Sequence, residues 1–277
     1  MPFLRVPGAE LYHEVSGRGP VLLLLPGGGG DAAVFDVLAG PLAERFTLVT
    51  LDPRGYSRSR LDPPEPVGQR VEVQSDDARR LLDAVSPGRP AYVFGGSSGA
   101  IVGLDLLARY PSRVRRLVAH EPPCFAVLPD ADAQLAFVEE VYRLFRTRGL
   151  GAASERFLAG IGGTMKALLD PASLPPRAAA MMSRLMANAP LMMEHELRSF
   201  TAYRPDLAAL AAAGDRLVLA AGRGSRGQLP YRPAAVLAER LGVGLVEFPG
   251  AHSGFTDEPA AFADRLIDVL GGGAGVG

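Results

Sequence analysis

The sequence predicts an α/β fold: a mostly parallel central sheet with helices on both faces, and an all-helical segment inserted between two of its strands. Three observations predict it. Short β-prone runs at Val21–Leu25, Thr47–Leu51, Tyr92–Phe94, Val114–Ala119 and Leu217–Ala221 alternate with stretches whose apolar residues recur at helical spacing. Val21-Leu22-Leu23-Leu24-Leu25 is continuously apolar, as a strand buried on both faces must be. From Ala131 to about Arg204 the pattern is helical, with no convincing strand.

In chain order, Leu4–Val6 and Glu10–Val15 flank Pro7-Gly8 and read as an antiparallel hairpin. The strand Val21–Leu25 runs into Pro26-Gly27-Gly28-Gly29-Gly30-Asp31, where glycines permit positive φ and close backbone approach. Ala32–Arg45 is an amphipathic helix, with Val34, Phe35, Val37, Leu38, Leu42 and Ala43 apolar. After Thr47–Leu51 comes Asp52-Pro53-Arg54-Gly55-Tyr56-Ser57-Arg58-Ser59, a turn in which an Asp–Arg pair is expected to tie the loop together. A proline-rich loop fills 61–70, and Ser75 or Asp76 is expected to cap a helix that ends at Val85.

Tyr92-Val93-Phe94 is the next strand, and Ile101, Leu104, Leu107 and Ala108 mark a helix that Pro111 stops. Between them lies Gly95-Gly96-Ser97-Ser98-Gly99, a G-x-S-x-G. In a tight strand-to-helix turn such a serine is held strained with its hydroxyl exposed, and the helix N-terminus favours developing negative charge. A Gly/Ser turn can arise by chance in a chain with 33 glycines, but the strand before and the helix after are what the motif requires.

Val114–Ala119 is followed by His120-Glu121-Pro122-Pro123 at the strand's C-terminal end, where open parallel sheets bind ligands. Helices are expected at Ala131–Arg148, Ala152–Ala159, Pro176–Asn188 and Met193–Tyr203. Met165, Met181, Met182, Met186, Met192 and Met193 are either ordinary packing or a plastic apolar roof over a substrate. Arg216–Ala221 resumes the sheet, Tyr231–Leu241 is a helix, and Leu245–Phe248 is the last strand. Pro249-Gly250-Ala251-His252-Ser253-Gly254 follows, and Phe255–Leu270 closes the fold as a helix. The tail, 271–277, is too glycine-rich to pack and is expected to be disordered.

The elbow, the glycine-rich loop and Asp52–Ser59 together resemble the α/β-hydrolase family with a helical cap, over nearly the whole chain. Ser57 stands where the family's Asp-x-Arg-Gly-x-Gly-x-Ser segment has its middle glycine, and Pro26 where relatives carry the histidine of His-Gly. The resemblance implies a core formed by 1–123 and 213–270, with a cap over 124–212. It implies Ser97 as nucleophile, the amides of Gly28 and Ser98 as oxyanion hole, and His252 as general base, in the family's order Ser…acid…His. The usual place for the acid, after Leu217–Ala221, holds Gly222-Arg223-Gly224-Ser225-Arg226 and no carboxylate; Gly224 fills the slot. Some relatives place the acid one strand after the elbow, where this chain has Glu121; a capping or ion-paired carboxylate is the other reading of that residue. Met182 and Met186 are the expected substrate-binding residues of the cap.

Composition bounds the rest. With 277 residues, 29 basic and 30 acidic side chains and a net charge of −1, the chain has no attraction for nucleic acid or acidic lipid. No apolar run is long enough to span a membrane, and Met1–Gly8 lacks a signal-peptide pattern, so a cytoplasmic protein is expected. Cys124 is alone, His195 lacks partners for a metal, and no metal or other cofactor is implied. The expectation is a serine hydrolase for a small to medium apolar ester or lactone, as monomer or homodimer. A thioesterase, C–C hydrolase or cyclase on the same frame is the alternative, as is a ligand-binding pseudoenzyme, which the empty acid slot favours.

Overall fold

The computed structural model describes residues 2–64, 68–162 and 174–271. Part of the proline-rich loop, Met165 and residues 272–277 of the expected tail lie outside that range. Gly271 is the last residue of the closing helix.

A nine-stranded sheet runs β1-β2-β4-β3-β6-β7-β8-β9, with β5 beside β2. Its strands are β1 (Phe3–Val6), β2 (Ala9–Gly17), β3 (Val21–Leu25), β4 (Thr47–Leu51), β5 (Arg60–Leu61), β6 (Ala91–Gly96), β7 (Val114–His120), β8 (Leu217–Gly222) and β9 (Leu245–Phe248). The β1–β2 hairpin and the β2–β4 pair are antiparallel; from β4 to β9 all pairs are parallel. The expected architecture is present.

Strand periodicity explains both layers. Leu23, Leu25, Val49, Val93 and Leu117 face one side, packing with α2 (Val71–Val85) and α3 (Ser98–Arg109). Leu22, Leu24, Leu48, Phe94 and Val118 face the other, against α1 (Asp36–Ala43) and α11 (Pro259–Gly271). The central leucines are fully buried, so truncating Leu23 to Ala would cost about 2–5 kcal/mol.

Between β7 and β8 stand α4 (Ala131–Arg148), α5 (Leu150–Gly160), α6 (Pro176–His195), α7 (Leu197–Thr201) and α8 (Leu207–Ala213). Phe125, Phe137, Val138, Val141, Met193 and Leu197 form a separate apolar cluster there. Leu210 and Ala213 of α8 instead join the sheet's own core. Then follow α9 (Tyr231–Leu241) and α10 (Gly254–Asp257).

Three boundaries differ from expectation. Helix α2 begins at Val71, after an extended Arg70, so Ser75 and Asp76 lie inside it and do not cap it, and Asp77 is buried within it against Arg54 at 2.6 Å. Arg54 therefore does not pair with Asp52; that carboxylate holds Arg58 and the Ala32 amide instead. Helix α6 continues through Pro190 to His195, where two helices were expected, and Pro259 splits the closing helix into α10 and α11.

Candidate active site

The β6–α3 turn has the geometry that the glycine spacing demands. Ser97 adopts φ 55° and ψ −123°, a region costly for a side chain and held only where surroundings enforce it. Its N–H donates to the His120 carbonyl at 2.9 Å. A Cβ on Gly99 would stand 2.2 Å from the Leu25 carbonyl oxygen, and one on Gly95 would stand 2.3 Å from that of Gly99. Both positions need glycine for the turn to close, so the motif is a steric prescription and not a chance pattern.

One strand over, Glu121 follows β7 with φ 48° and is fully buried. Its Oε1 accepts from the Gly222 amide at 2.8 Å, and its Oε2 lies 2.6 Å from His252 Nδ1. Burial pushes this carboxyl up, but the bonds from His252 and Gly222 outweigh it and hold it below the ordinary carboxylate range. A carboxylate on Nδ1 leaves Nε2 as the free imidazole nitrogen. His252 is carried in a loop packed on the turn after β8: the Gly224 amide donates to the Gly250 carbonyl at 2.7 Å. A Cβ on Gly224 would come within 3.2 Å of both Ala251 Cβ and the Gly250 oxygen, so the slot without an acid is also crowded. Beneath them His120 is fully buried among Phe94, Phe248 and Phe262, and burial lowers its pKa to about 4. It stays neutral.

Ser97 and His252 face one cavity of about 260 Å³, which Gly27, Gly28 and Ser98 border on the sheet side. Phe125, Phe157, Met192, Leu197 and Phe200 make its apolar wall from the helical segment. Thus Ser97, Ser98, Gly28 and His252 meet around one space, with Glu121 behind His252. Met182 and Met186 are not on it: Met186 is 53% exposed. Counting from Asn188, which faces inward, Met186 lies about 200° round the helix. The methionine of α6 that borders the cavity is Met192.

Sequence reading missed a row spaced by four: Asn188, Met192, Glu196 and Phe200 share one face of α6 and α7. Asn188 donates to the Gly29 carbonyl at 2.9 Å and accepts from the Ser57 amide at 3.0 Å. Ser57, at φ 50°, occupies the conformation that the family's glycine would take, and its hydroxyl bonds Asn188 and Asp31. Arg184 of α6 reaches the same Asp31 at 2.5 Å. Glu196 is buried on the cavity wall, where it accepts from the Tyr56 hydroxyl at 2.6 Å. An acid repeating at the i, i+4 spacing of an inward row was the available signal.

Among the described residues no cluster of side chains could hold a metal, and no helix is long and apolar enough to cross a membrane.

A strained serine at a helix N-terminus, a histidine fixed by a buried carboxylate, and glycine amides beside them form an arrangement suited to acyl transfer. Comparison with known proteins gives the family. The family model for the α/β hydrolase fold matches residues 20–171. The hydrolase YraK of Bacillus subtilis (strain 168) is 38% identical over 273 residues, covering 96% of this chain and 94% of its own. Zearalenone hydrolase of Bionectria ochroleuca is 26% identical, covering 95% and 94%. Among solved structures, a carboxylesterase of Nitrososphaera gargenis superimposes with a TM-score of 0.75 at 19% identity, covering 98% of each chain. A match of this extent to the family model and to YraK means that the chain belongs to the α/β hydrolases and is a hydrolytic enzyme.

Proposed function

We propose that this hydrolase is a serine esterase or lactonase acting on a small to medium apolar substrate through an acyl-enzyme. The observation that carries the reading is the 2.6 Å bond between Glu121 and His252 Nδ1, beside a Ser97 held at φ 55°. His252 Nε2 takes the Ser97 proton as the hydroxyl oxygen attacks the substrate carbonyl. The amides of Gly28 and Ser98 stabilise the oxyanion, helped by the N-terminus of α3. His252 then returns the proton to the leaving alkoxide, and the same steps with water release the acid. Glu121 orients the imidazole and stabilises its charged form throughout.

Residues 124–212 serve as the cap. Their part is supported by the apolar wall of Phe125, Phe157, Met192 and Phe200 opposite Ser97, and by the bonds that Arg184 and Asn188 make to the core. The size of the cavity, about 260 Å³, suits a compact ester better than a long chain. The ion-paired reading of Glu121 becomes the triad acid, because its partner is the cavity histidine.

A fluorophosphonate probe should label Ser97, and a panel of esters, lactones and thioesters should show turnover that Ser97→Ala abolishes. Absence of labelling together with absence of turnover would return the site to a binding pocket. Preference for thioesters across the panel would favour the thioesterase reading.

A further inference from the structure

The two amides proposed to hold the oxyanion belong to separate segments, Gly28 to the loop after β3 and Ser98 to the elbow after β6. The spacing between them decides the shape of the hole. Beneath it the segments touch through backbone: a Cβ on Gly99 would stand 2.2 Å from the Leu25 carbonyl oxygen and 2.6 Å from that of Pro26. Towards the helical segment they meet a side chain instead. A Cβ on Gly28 would lie 2.8 Å from Glu196 Oε1, 3.1 Å from the Ser98 hydroxyl oxygen and 3.2 Å from Met192 Cγ. Loop, elbow and the Glu196 carboxyl therefore converge on one point, with the Ser98 hydroxyl a hydrogen-bonding neighbour of that carboxyl.

The carboxyl is held there from the other end. Glu196 is only 3% exposed, at the junction of α6 and α7, and its Oε2 accepts from the Tyr56 hydroxyl at 2.6 Å. Tyr56 is itself fully buried in the turn after β4. The next residue of that turn, Ser57, bonds Asn188, about two helical turns before Glu196. One turn of the core thus grips the end of α6 at two places and gives the carboxyl a fixed reference. Acyl transfer by Ser97, His252 and Glu121 has no use for this carboxyl as acid, base or nucleophile. Burial pushes it upward, away from a negative charge that would oppose a neighbouring oxyanion.

We infer that Glu196, anchored by Tyr56, is a positioning residue that sets the spacing of the Gly28 and Ser98 amides, so that the helical segment completes the oxyanion hole. It acts through those two residues, and the inference rests on the acyl-transfer reading of the site. An error of about 1 Å in such a hole can cost on the order of a hundredfold in rate. The loss falls on the transition state, because the amides are aimed at the tetrahedral oxyanion and not at the ground-state carbonyl. A carboxamide at position 196 can do the same work, accepting from Tyr56 through its oxygen and donating to the Ser98 hydroxyl through its nitrogen. A thioether of similar length can do neither.

Butyl trifluoromethyl ketone and butyl methyl ketone separate positioning from packing. In the first, the Ser97 oxygen bonds to the ketone carbon, the carbonyl π pair moves to the oxygen in the hole, and the Ser97 proton passes to His252. The second binds without adding. Both are to be titrated by NMR into the full-length protein and its variants, beside steady-state kinetics on the best ester of a panel. Glu196→Met should lower kcat and trifluoromethyl ketone affinity together, by about tenfold to a hundredfold, with KM and methyl ketone affinity held within about twofold. Glu196→Gln should stay within about threefold of the parent throughout, and Tyr56→Phe should weaken the trifluoromethyl ketone alone by about threefold to tenfold. If the Met variant does not fold, the contrast between Gln and Tyr56→Phe decides. Equal weakening of both ketones by Glu196→Met, or an unchanged trifluoromethyl ketone adduct in the Met or Tyr56→Phe protein, overturns this inference alone. Absence of any adduct with the unmutated protein overturns the acyl-transfer reading, and this inference with it.

Discussion

The edge of the sheet places a buried glutamate behind His252 and the helical segment places another on the cavity wall, and the two are treated in opposite ways. Glu121 follows β7 with both oxygens engaged, one by the Gly222 amide and one by His252, and these bonds outweigh the burial that would otherwise suppress its charge. Glu196 has only the neutral hydroxyls of Tyr56 and Ser98 beside it, and they do not cancel the upward push of burial. Burial alone does not decide the state of a carboxyl; the number and kind of donors that the backbone can aim at it do. A sheet edge supplies such donors because its loops end in free N–H groups, whereas the middle of a helical layer has spent its N–H groups on its own turns.

The largest way to break the comparison is at Ser97. If the sheet edge holds the chemistry, Ser97→Ala should lower kcat/KM by about four orders of magnitude or more, measured on the best ester of a panel. Ser98→Ala keeps the amide and should cost far less, about tenfold or under. Exchange of the two results would place the nucleophile one residue later. Next comes Glu121→Gln. An amide can donate to a bare Nδ1 as readily as it can accept from Nδ1–H, so the wrong tautomer becomes accessible. A loss on the order of a thousandfold or more is expected, with folding intact by circular dichroism. A loss below about tenfold would make the site a Ser97–His252 dyad.

In the helical segment the effects should be smaller and of another kind. Asn188→Leu removes the bond that fixes the Gly29 carbonyl and strands the Ser57 amide, loosening the glycine loop. A kcat about tenfold lower is expected, with fluorophosphonate labelling slowed in parallel; normal labelling would separate Asn188 from the oxyanion loop. Met192→Ala should change preference among esters of different acyl size, while Met186→Gln, on an exposed position, should not.

The two regions also differed in how far the sequence revealed them. At the sheet edge local covalent demands and function coincide. Gly95 and Gly99 are required by contacts under 2.5 Å, so the elbow can be read from five residues. The strands announce themselves by uninterrupted apolar runs, and the family resemblance places Glu121 and His252 just after two of them. In the helical segment a side chain's direction depends on helix phase, and the phase depends on where helices begin and end. Met182 and Met186 were singled out from the methionine-rich stretch without the helix phase, and Met186 sits on a face that looks outward. Asn188 and Glu196 were passed over because their partners, Gly29, Ser57 and Tyr56, lie far away in the chain. The pairing of Arg54 with Asp77 was hidden for the same reason.

The smallest predicted effect is also the sharpest test of the contrast, because its sign differs between the two glutamates. Glu121 has a folded pKa below its unfolded value near 4.5. Its contribution to stability is present above that value and is lost as pH falls through the lower, folded one. Glu196 is displaced upward, so the stability linked to its protonation is complete below about 4.5 and is lost as pH rises towards its folded pKa, while the unfolded chain ionises freely. Urea unfolding of the parent, Glu121→Gln and Glu196→Gln proteins across this range should therefore give two slopes of opposite sign. Raising the pH should favour the parent over Glu121→Gln in the window below 4.5, and should disfavour it against Glu196→Gln above that value. Each slope has a ceiling of about 1.4 kcal/mol per pH unit. Parallel slopes would mean that Glu196 is ionised in the folded protein, and a charged group that close to Gly28 would oppose the oxyanion that the loop is proposed to stabilise.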